Sequence, residues 1–496
     1  MSSRTLVSGL SALAAIGMVV GLASTVARDA RAQDAKPAAT ARATPQPPPA
    51  PPPAKTKLVE TTPIADAVPS ADLYEKKRPV PDYRGRGPKP TTVGDVLLWL
   101  PRLIVAPLYL AWEYAVRRPI GGVVIAVDHD QVVQKAMTIF TFGGKQKIGL
   151  VPTLFLDFGV LPSVGVYFWA DDVAVEHNHV RFRLGTWGPD WINIGVADRY
   201  DVGKDSTAAL RASWSTRSDY PFFGLGPKSK EGNESRYKAT TLDVGPAYEM
   251  RLSPGAHLET SAGVRDTAFG EGACCGDPSL QTRIAHGELA APPRLADGYT
   301  MLYEQAELTL DSRHPRPSPQ SGARLALNAQ PGSDVSHRPG NSWVSYGGTA
   351  AAFWDVTGKA RVLSLEVATR FVDPISGAGS AIPFTELVSL GGEGLMRGFL
   401  AGRLIDRSAV VATAAYQWPV WSFLDGTLQV STGNVFGAGL QDFESRKLRL
   451  SSGIGVRSNG SPDHQFEILT GIGTDTFESG AKITSFRLAI GGTNGF

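Results

Sequence analysis

Residues 363–371 read LSLEVATRF, and the fold is decided there. In an extended chain successive side chains point to opposite faces. Leu363, Leu365, Val367, Thr369 and Phe371 therefore share one face, and Ser364, Glu366, Ala368 and Arg370 the other. The pattern recurs along the chain. Val410, Ala412, Ala414, Tyr416 and Trp418 oppose Thr413, Ala415 and Gln417; Phe466, Ile468 and Ile472 oppose Gln465 and Glu467; Val180, Phe182 and Leu184 oppose His179, Arg181 and Arg183. A soluble sandwich alternates as well. Three features favour a sheet wall between lipid and a polar lumen: an export signal, aromatics at segment ends (Tyr416, Trp418, Trp421), and a last segment, SFRLAIGGTNGF (485–496), that closes on Phe496. Sixteen such segments run from 148–158 to 483–492, and an even number closes a single-chain barrel with both ends on one side. The expected fold is all-β: a 16-stranded antiparallel transmembrane β-barrel over residues 146–496.

Upstream of the barrel the texture is different. Arg4 precedes the apolar run Leu10–Ala27, and Ala30-Arg31-Ala32 supplies small residues at signal-peptidase spacing. Residues 1–32 thus read as a signal peptide, with an uncleaved anchor as the alternative. Residues 33–90, with QPPPAPPPA at 46–54, have the composition of a disordered, extended periplasmic tether. Within residues 91–145 lies GDVLLWLPRLIVAPLYLAWEYAVRR (94–118), interrupted by Pro101 and Pro107 and carrying Arg102, Trp99, Tyr109, Trp112 and Tyr114. It reads as an interfacial or barrel-associated helix, with a spanning or a core helix as alternatives.

The chain carries 49 Lys and Arg against 47 Asp and Glu. Such a balance, without a basic stripe, argues against nucleic acid as a partner. The two cysteines, Cys274 and Cys275, are adjacent and have no CxxC or Cys/His ligand spacing around them. Neither a zinc site nor a disulfide framework is expected, and free thiols and a vicinal disulfide both remain open.

Between the eleventh and twelfth segments stands VSLGGEGLMRGF (388–399). Gly391, Gly392, Gly394 and Gly398 permit tight or left-handed geometry, and Arg397 brings five donors. Alone this is a glycine-rich surface loop. Together with LDSRHPRPSPQSGARLAL (310–327), FFGLG (222–226), AAYQWPV (414–420) and STGNVFG (431–437), it gives residues 145–496 a pattern that resembles the BamA/TamA superfamily of outer-membrane proteins, the bacterial surface antigen barrels. The resemblance implies a loop that returns into the lumen, with Arg397, Gly398 and Phe399 matching an Arg-Gly-Phe core. It also implies that the Arg pairs with acids on the twelfth and thirteenth strands. The matching positions here hold Ala415 and Ser431, the latter two residues before Gly433. A buried guanidinium without a counter-charge is costly, so Glu393, Glu366 and Glu467 are the candidate partners. Family members that assemble other barrels carry POTRA modules, for which residues 33–118 leave no room.

The first and last strands must pair to close the barrel. Pro152 removes a donor from the first, and Gly491-Gly492 lets the last bend just before Phe496. A proline turned away from the pairing edge and a harmless terminal bulge are the alternative. The resemblance implies a seam that opens sideways and assists insertion or translocation of proteins or lipids. The competing reading is a passive or plugged pore, with Arg181, Arg183, Glu366, Arg370 and Glu467 lining the lumen. No GxSxG element occurs, and acids such as Asp128, Asp130, Asp171 and Asp172 read as solvated turn residues, so no enzyme, cofactor or metal is expected. The expected partners are outer-membrane lipids and lipopolysaccharide, the assembly machinery that inserts the barrel itself, and client outer-membrane proteins. The expected state is a monomer in the bacterial outer membrane with its N-terminal segment in the periplasm.

Overall fold

The computed structural model describes residues 139–142 and 147–493, apart from 174, 315–319, 338–339, 359, 377–381, 422–423 and 459–464. The signal, tether, 94–118 helix and POTRA expectations, and those for Asp128, Asp130 and Phe496, lie outside the described residues.

Sixteen strands form the wall. They are β1 (Ile148–Asp157), β2 (Ser163–Asp171), β3 (Asn178–Thr186), β4 (Trp191–Asp201), β5 (Ser206–Phe222), β6 (Ser235–Ser253), β7 (Ala256–Glu271) and β8 (Tyr299–Asp311). The second half comprises β9 (Gly322–Asp334), β10 (Ser342–Asp355), β11 (Val362–Ser376), β12 (Ser408–Trp421), β13 (Leu424–Phe436), β14 (Arg449–Ser458), β15 (Gln465–Thr474) and β16 (Ile483–Thr493). Each pairs antiparallel with its chain neighbours, and β16 returns to β1, so the sheet closes. Closure removes the sheet edges that a membrane would leave without hydrogen-bond partners. Among the described residues no helix is long and apolar enough to cross a membrane.

Alternation sets the two faces as the sequence requires. On β11, Val367 is 52 % exposed to the outside while Ala368 is 1 % exposed on the lumen side. Tyr346 and Phe371 stack at 5.2 Å near one rim, and Tyr416 and Trp418 at 5.6 Å near the other. Aromatics at both boundaries are what the two interfaces of a bilayer favour. Inside, charges meet charges: Arg211 bridges Glu249 and Glu259 at 3.1 and 3.0 Å, and Arg265 bridges Asp243 and Glu386 at 2.8 and 3.2 Å.

The rims differ. One carries short turns such as 254–255. The other carries long connections: 223–234, 272–298 with the helix α1 (Leu280–Ala285), and 377–407. Ser279 caps α1 by accepting the Thr282 N–H. Cys274 and Cys275 form a vicinal disulfide beside it. The long connections fold inward over an apolar cluster in which Phe384 meets Phe222 edge-on at 5.7 Å and Tyr237 at 5.1 Å. Phe222 and Phe223 of the FFGLG stretch are both buried, and the Arg403 guanidinium lies 4.5 Å above the Phe223 ring. A short ribbon inside the last connection, Val388–Leu390 against Leu404–Asp406, was not expected from the sequence.

The two faces make opposite demands on a new charge. Val367→Arg, on the outer face near mid-strand, should lower the stability of the barrel folded in lipid vesicles by about 2–4 kcal/mol. Asn328→Arg, on the lumen face and directly across from Glu307, should change it by under about 1 kcal/mol. Urea titrations of both variants measure the difference.

Candidate functional site

The connection after β11 enters the barrel as the Val388–Leu390 ribbon, reverses through residues 391–403 and leaves by Leu404–Asp406. Gly391 and Gly392 take φ of 111° and 71°, which L side chains rarely adopt. The reversal closes on itself through Gly391 N–H to the Leu395 carbonyl at 2.9 Å and Gly392 N–H to that of Phe399 at 2.8 Å.

The loop docks on β14, β15 and β16. Arg397 donates to Glu467 on β15, both side chains being largely buried. The Gly398 N–H donates to Ser451 Oγ on β14 at 2.8 Å, and Ser485 Oγ on β16 donates to the Gly398 carbonyl at 3.1 Å. At Gly398 a Cβ would stand 2.0 Å from the Ile472 carbonyl oxygen, so only glycine allows this approach. Phe399 is fully buried and fills the space that a side chain at Gly473 would need, 2.3 Å from its ring.

The carboxylate beside Arg397 is therefore Glu467. The positions matched to the family's acids lie elsewhere: Ala415 sits across from Gln429, and Ser431 hydrogen-bonds Thr413 at 2.9 Å. Ser431 is also the cross-strand neighbour of Ser451, and Gly433 that of Arg449. Glu366 lies on β11 across from Ala351 and Thr413, and Glu393 is exposed at the loop tip.

The seam is short. Among the described residues β16 and β1 share three residue pairs, Ala489 with Asp157, Ile490 with Leu156 and Gly491 with Phe155, whereas all other wall neighbours share seven or more. Gly492 stays paired with Phe466 on β15. At the other end of β1, Thr141 and Phe142 pair with Gly149 and Ile148. Between these pairings the β1 edge from Leu150 to Leu154, with Pro152 at its centre, has no strand partner among the described residues. Its other edge is fully paired with β2.

One ion pair crosses this seam, and the sequence reading missed it. Arg487 on β16 holds Asp157 on β1 through Nε at 3.0 Å to both carboxylate oxygens and through Nη2 at 2.7 Å. The two side chains are 1 % and 5 % exposed. Nη1 of the same guanidinium donates to the loop carbonyls of Gly392 at 2.6 Å and Arg397 at 3.1 Å. Opposite charges at lumen-facing positions of the first and last strands were the available signal.

A second arginine pair ties down the outgoing arm of the loop. Arg403 donates to Glu231 at 2.7 Å and to Ser229 Oγ at 2.9 Å. Arg449 donates to Asp475 at 2.9 Å and to the Ser229 carbonyl at 2.8 Å. These polar contacts surround the apolar cluster at the long-loop rim.

Comparison with curated protein sequences gives no match. Among solved structures the fold is similar to that of BamA from Haemophilus ducreyi lacking POTRA domains 1–3, with a TM-score of 0.49, 12 % identity and 70 % of each chain covered. CdiB from Acinetobacter baumannii and CdiB from Escherichia coli both give a TM-score of 0.44 at 10 % identity; the chain covers 59 % and 62 % of them, and 70 % and 69 % of itself. The Omp85 superfamily domain matches residues 176–493, well over half of the sequence. The chain belongs to the Omp85 superfamily.

Proposed function

We propose that this outer-membrane barrel assists insertion or translocation of protein chains or lipids, and that they engage at the seam between β1 and β16. The observation that carries the reading is the three-pair seam beside the edge Leu150–Leu154, which has no strand partner among the described residues. Backbone N–H and C=O groups facing lipid without partners cost several kcal/mol each. Such an edge is satisfied by water, by a distorted bilayer or by an incoming strand, and each outcome lowers the barrier to crossing. In this reading the long-loop rim faces outward and the N-terminal segment lies in the periplasm. Outer-membrane lipids, lipopolysaccharide and client outer-membrane proteins are the partners, and the barrel works as a monomer.

The test is the folding rate of an unrelated outer-membrane protein into liposomes with and without the purified protein. The rate should rise with the protein present. Joining Leu156→Cys to Ile490→Cys, in a Cys274→Ser/Cys275→Ser background, should abolish the increase. Acceleration that survives this crosslink would remove the seam from the mechanism.

A plugged pore is the second reading, favoured by the apolar cluster under the long-loop rim and by the charged lumen. It predicts small single-channel currents in planar bilayers, with an ion selectivity that shifts when Glu366→Gln or Arg370→Gln removes a lumen charge. Currents indifferent to both substitutions would count against it.

The loop's role is to stay docked, and its Arg397–Glu467 pair is assigned that task. Arg397→Ala leaves a largely buried carboxylate unpaired, a loss of about 3–5 kcal/mol in a fully buried site and less where lumen water reaches it. Protease cleavage within residues 391–403 should speed up while the wall remains resistant. An unchanged cleavage rate would assign the docking to Gly398 and Phe399 alone.

A further inference from the structure

The Arg487 guanidinium serves two structures that have no sequence connection. Nε and Nη2 close the seam on Asp157, while Nη1 holds the Gly392 and Arg397 carbonyls of the returning loop. The loop touches both sides of the seam. On the β16 side Ser485 Oγ grips the Gly398 carbonyl. On the β1 side Leu400 packs so closely on the turn after β1 that a Cβ at Gly159 would stand 2.7 Å from its methyl carbon. The backbone ladder that the loop spans is the three-pair stretch ending at Asp157, extended by Phe158 N–H to the Leu488 carbonyl at 3.0 Å.

We propose that the returning loop is a strap across the seam, and that Arg487 couples its docking to seam closure. With the loop seated, all three guanidinium nitrogens have acceptors, and the buried cation is held in line with Asp157. When the loop withdraws, Nη1 loses both carbonyls. A buried guanidinium with unmet donors turns toward water, and its two-point grip on Asp157 goes with it. Three backbone pairs then hold the seam. The coupling is reciprocal, because two equilibria that share one contact shift each other by the same factor. As a control on passage through the barrel, the strap rests on the seam reading above; as a coupling, it is measured without any client.

The experiment uses the full chain in liposomes, in the Cys274→Ser/Cys275→Ser background, with two readouts. Maleimide labelling of Met396→Cys, a position that is fully buried in the docked loop, reports withdrawal. The rate of disulfide formation between Leu156→Cys and Ile490→Cys, cross-strand partners in the seam, reports closure. Gly398→Val drives the loop off the Ile472 carbonyl on β15 and leaves every residue of β1 and β16 unchanged; it should raise labelling and slow seam disulfide formation, each by about fivefold or more. Asp157→Asn weakens the seam from the other side and should raise Met396→Cys labelling by a similar factor. Loop withdrawal in Gly398→Val with an unchanged seam rate overturns the proposal, as does unchanged labelling in Asp157→Asn. If Gly398→Val loses the heat-modifiable band of a folded barrel, the Asp157→Asn arm decides alone. A barrel that shows the coupling yet accelerates no client folding keeps the strap and loses the insertion reading; acceleration without coupling does the reverse.

Discussion

A barrel in lipid stands on one requirement: the first and last strands must meet each other's backbone groups where no water can. Fifteen of the sixteen contacts around this wall meet it with long ladders, set by alternating side chains that leave no choice of face. The sixteenth meets it with three pairs, and a buried arginine takes over where the ladder stops. An ion pair is a poor substitute for a ladder in one respect and a useful one in another. Its desolvation cost nearly cancels its attraction, so it adds little net stability. It is also all-or-none and depends on every acceptor around it, which backbone pairs three residues away do not.

The arginines of the long-loop rim extend the same logic. Arg403, Arg449 and Arg487 are each nearly inaccessible, and each divides its donors between a carboxylate and main-chain carbonyls of a connecting segment. Connecting segments carry backbone groups that no ladder satisfies. A planar fork with five donors answers several of them from one position, which a lysine's point-like ammonium does not do. The apolar cluster beneath them, with Phe222, Phe384 and Tyr237 in edge-on contact, supplies the burial. The long-loop rim thus holds an apolar cluster of connecting segments that guanidinium groups keep in register.

How much of this could be read in advance depended on how local the determinant is. Strand positions were legible because alternation needs only neighbours in sequence: LSLEVATRF announces its two faces without reference to any other segment. The docked loop was legible as a type, since its glycines and Arg397 stand together in one stretch. The partner of Arg397 was not. Three acids were compatible, and the choice of Glu467 depends on where Gly398 meets Ile472 and where Phe399 finds the gap above Gly473, two contacts between segments some 70 residues apart. The Val388–Leu390 ribbon was hidden for a related reason: three-residue strands carry too little alternation to be seen. Asp157 and Arg487 were hidden by distance alone, 330 residues apart and brought together only by closure.

The placement of the weak and strong parts of the seam also has a direction. Its three pairs, the Arg487–Asp157 contact and the loop all lie toward the long-loop rim, while the edge Leu150–Leu154, without a strand partner among the described residues, lies toward the short-turn rim, where the chain enters β1. Pro152 sits inside that open half, where a missing N–H cannot weaken the pairs at Phe155, Leu156 and Asp157. The two halves of one strand edge therefore obey different constraints. In the proposed mechanism one half exchanges partners while the other stays closed, and full opening requires the guanidinium to release a carboxylate and two loop carbonyls together. On the proposed mechanism such a seam separates engagement from opening, because the first involves backbone groups without a strand partner among the described residues and the second a buried charge that is paired.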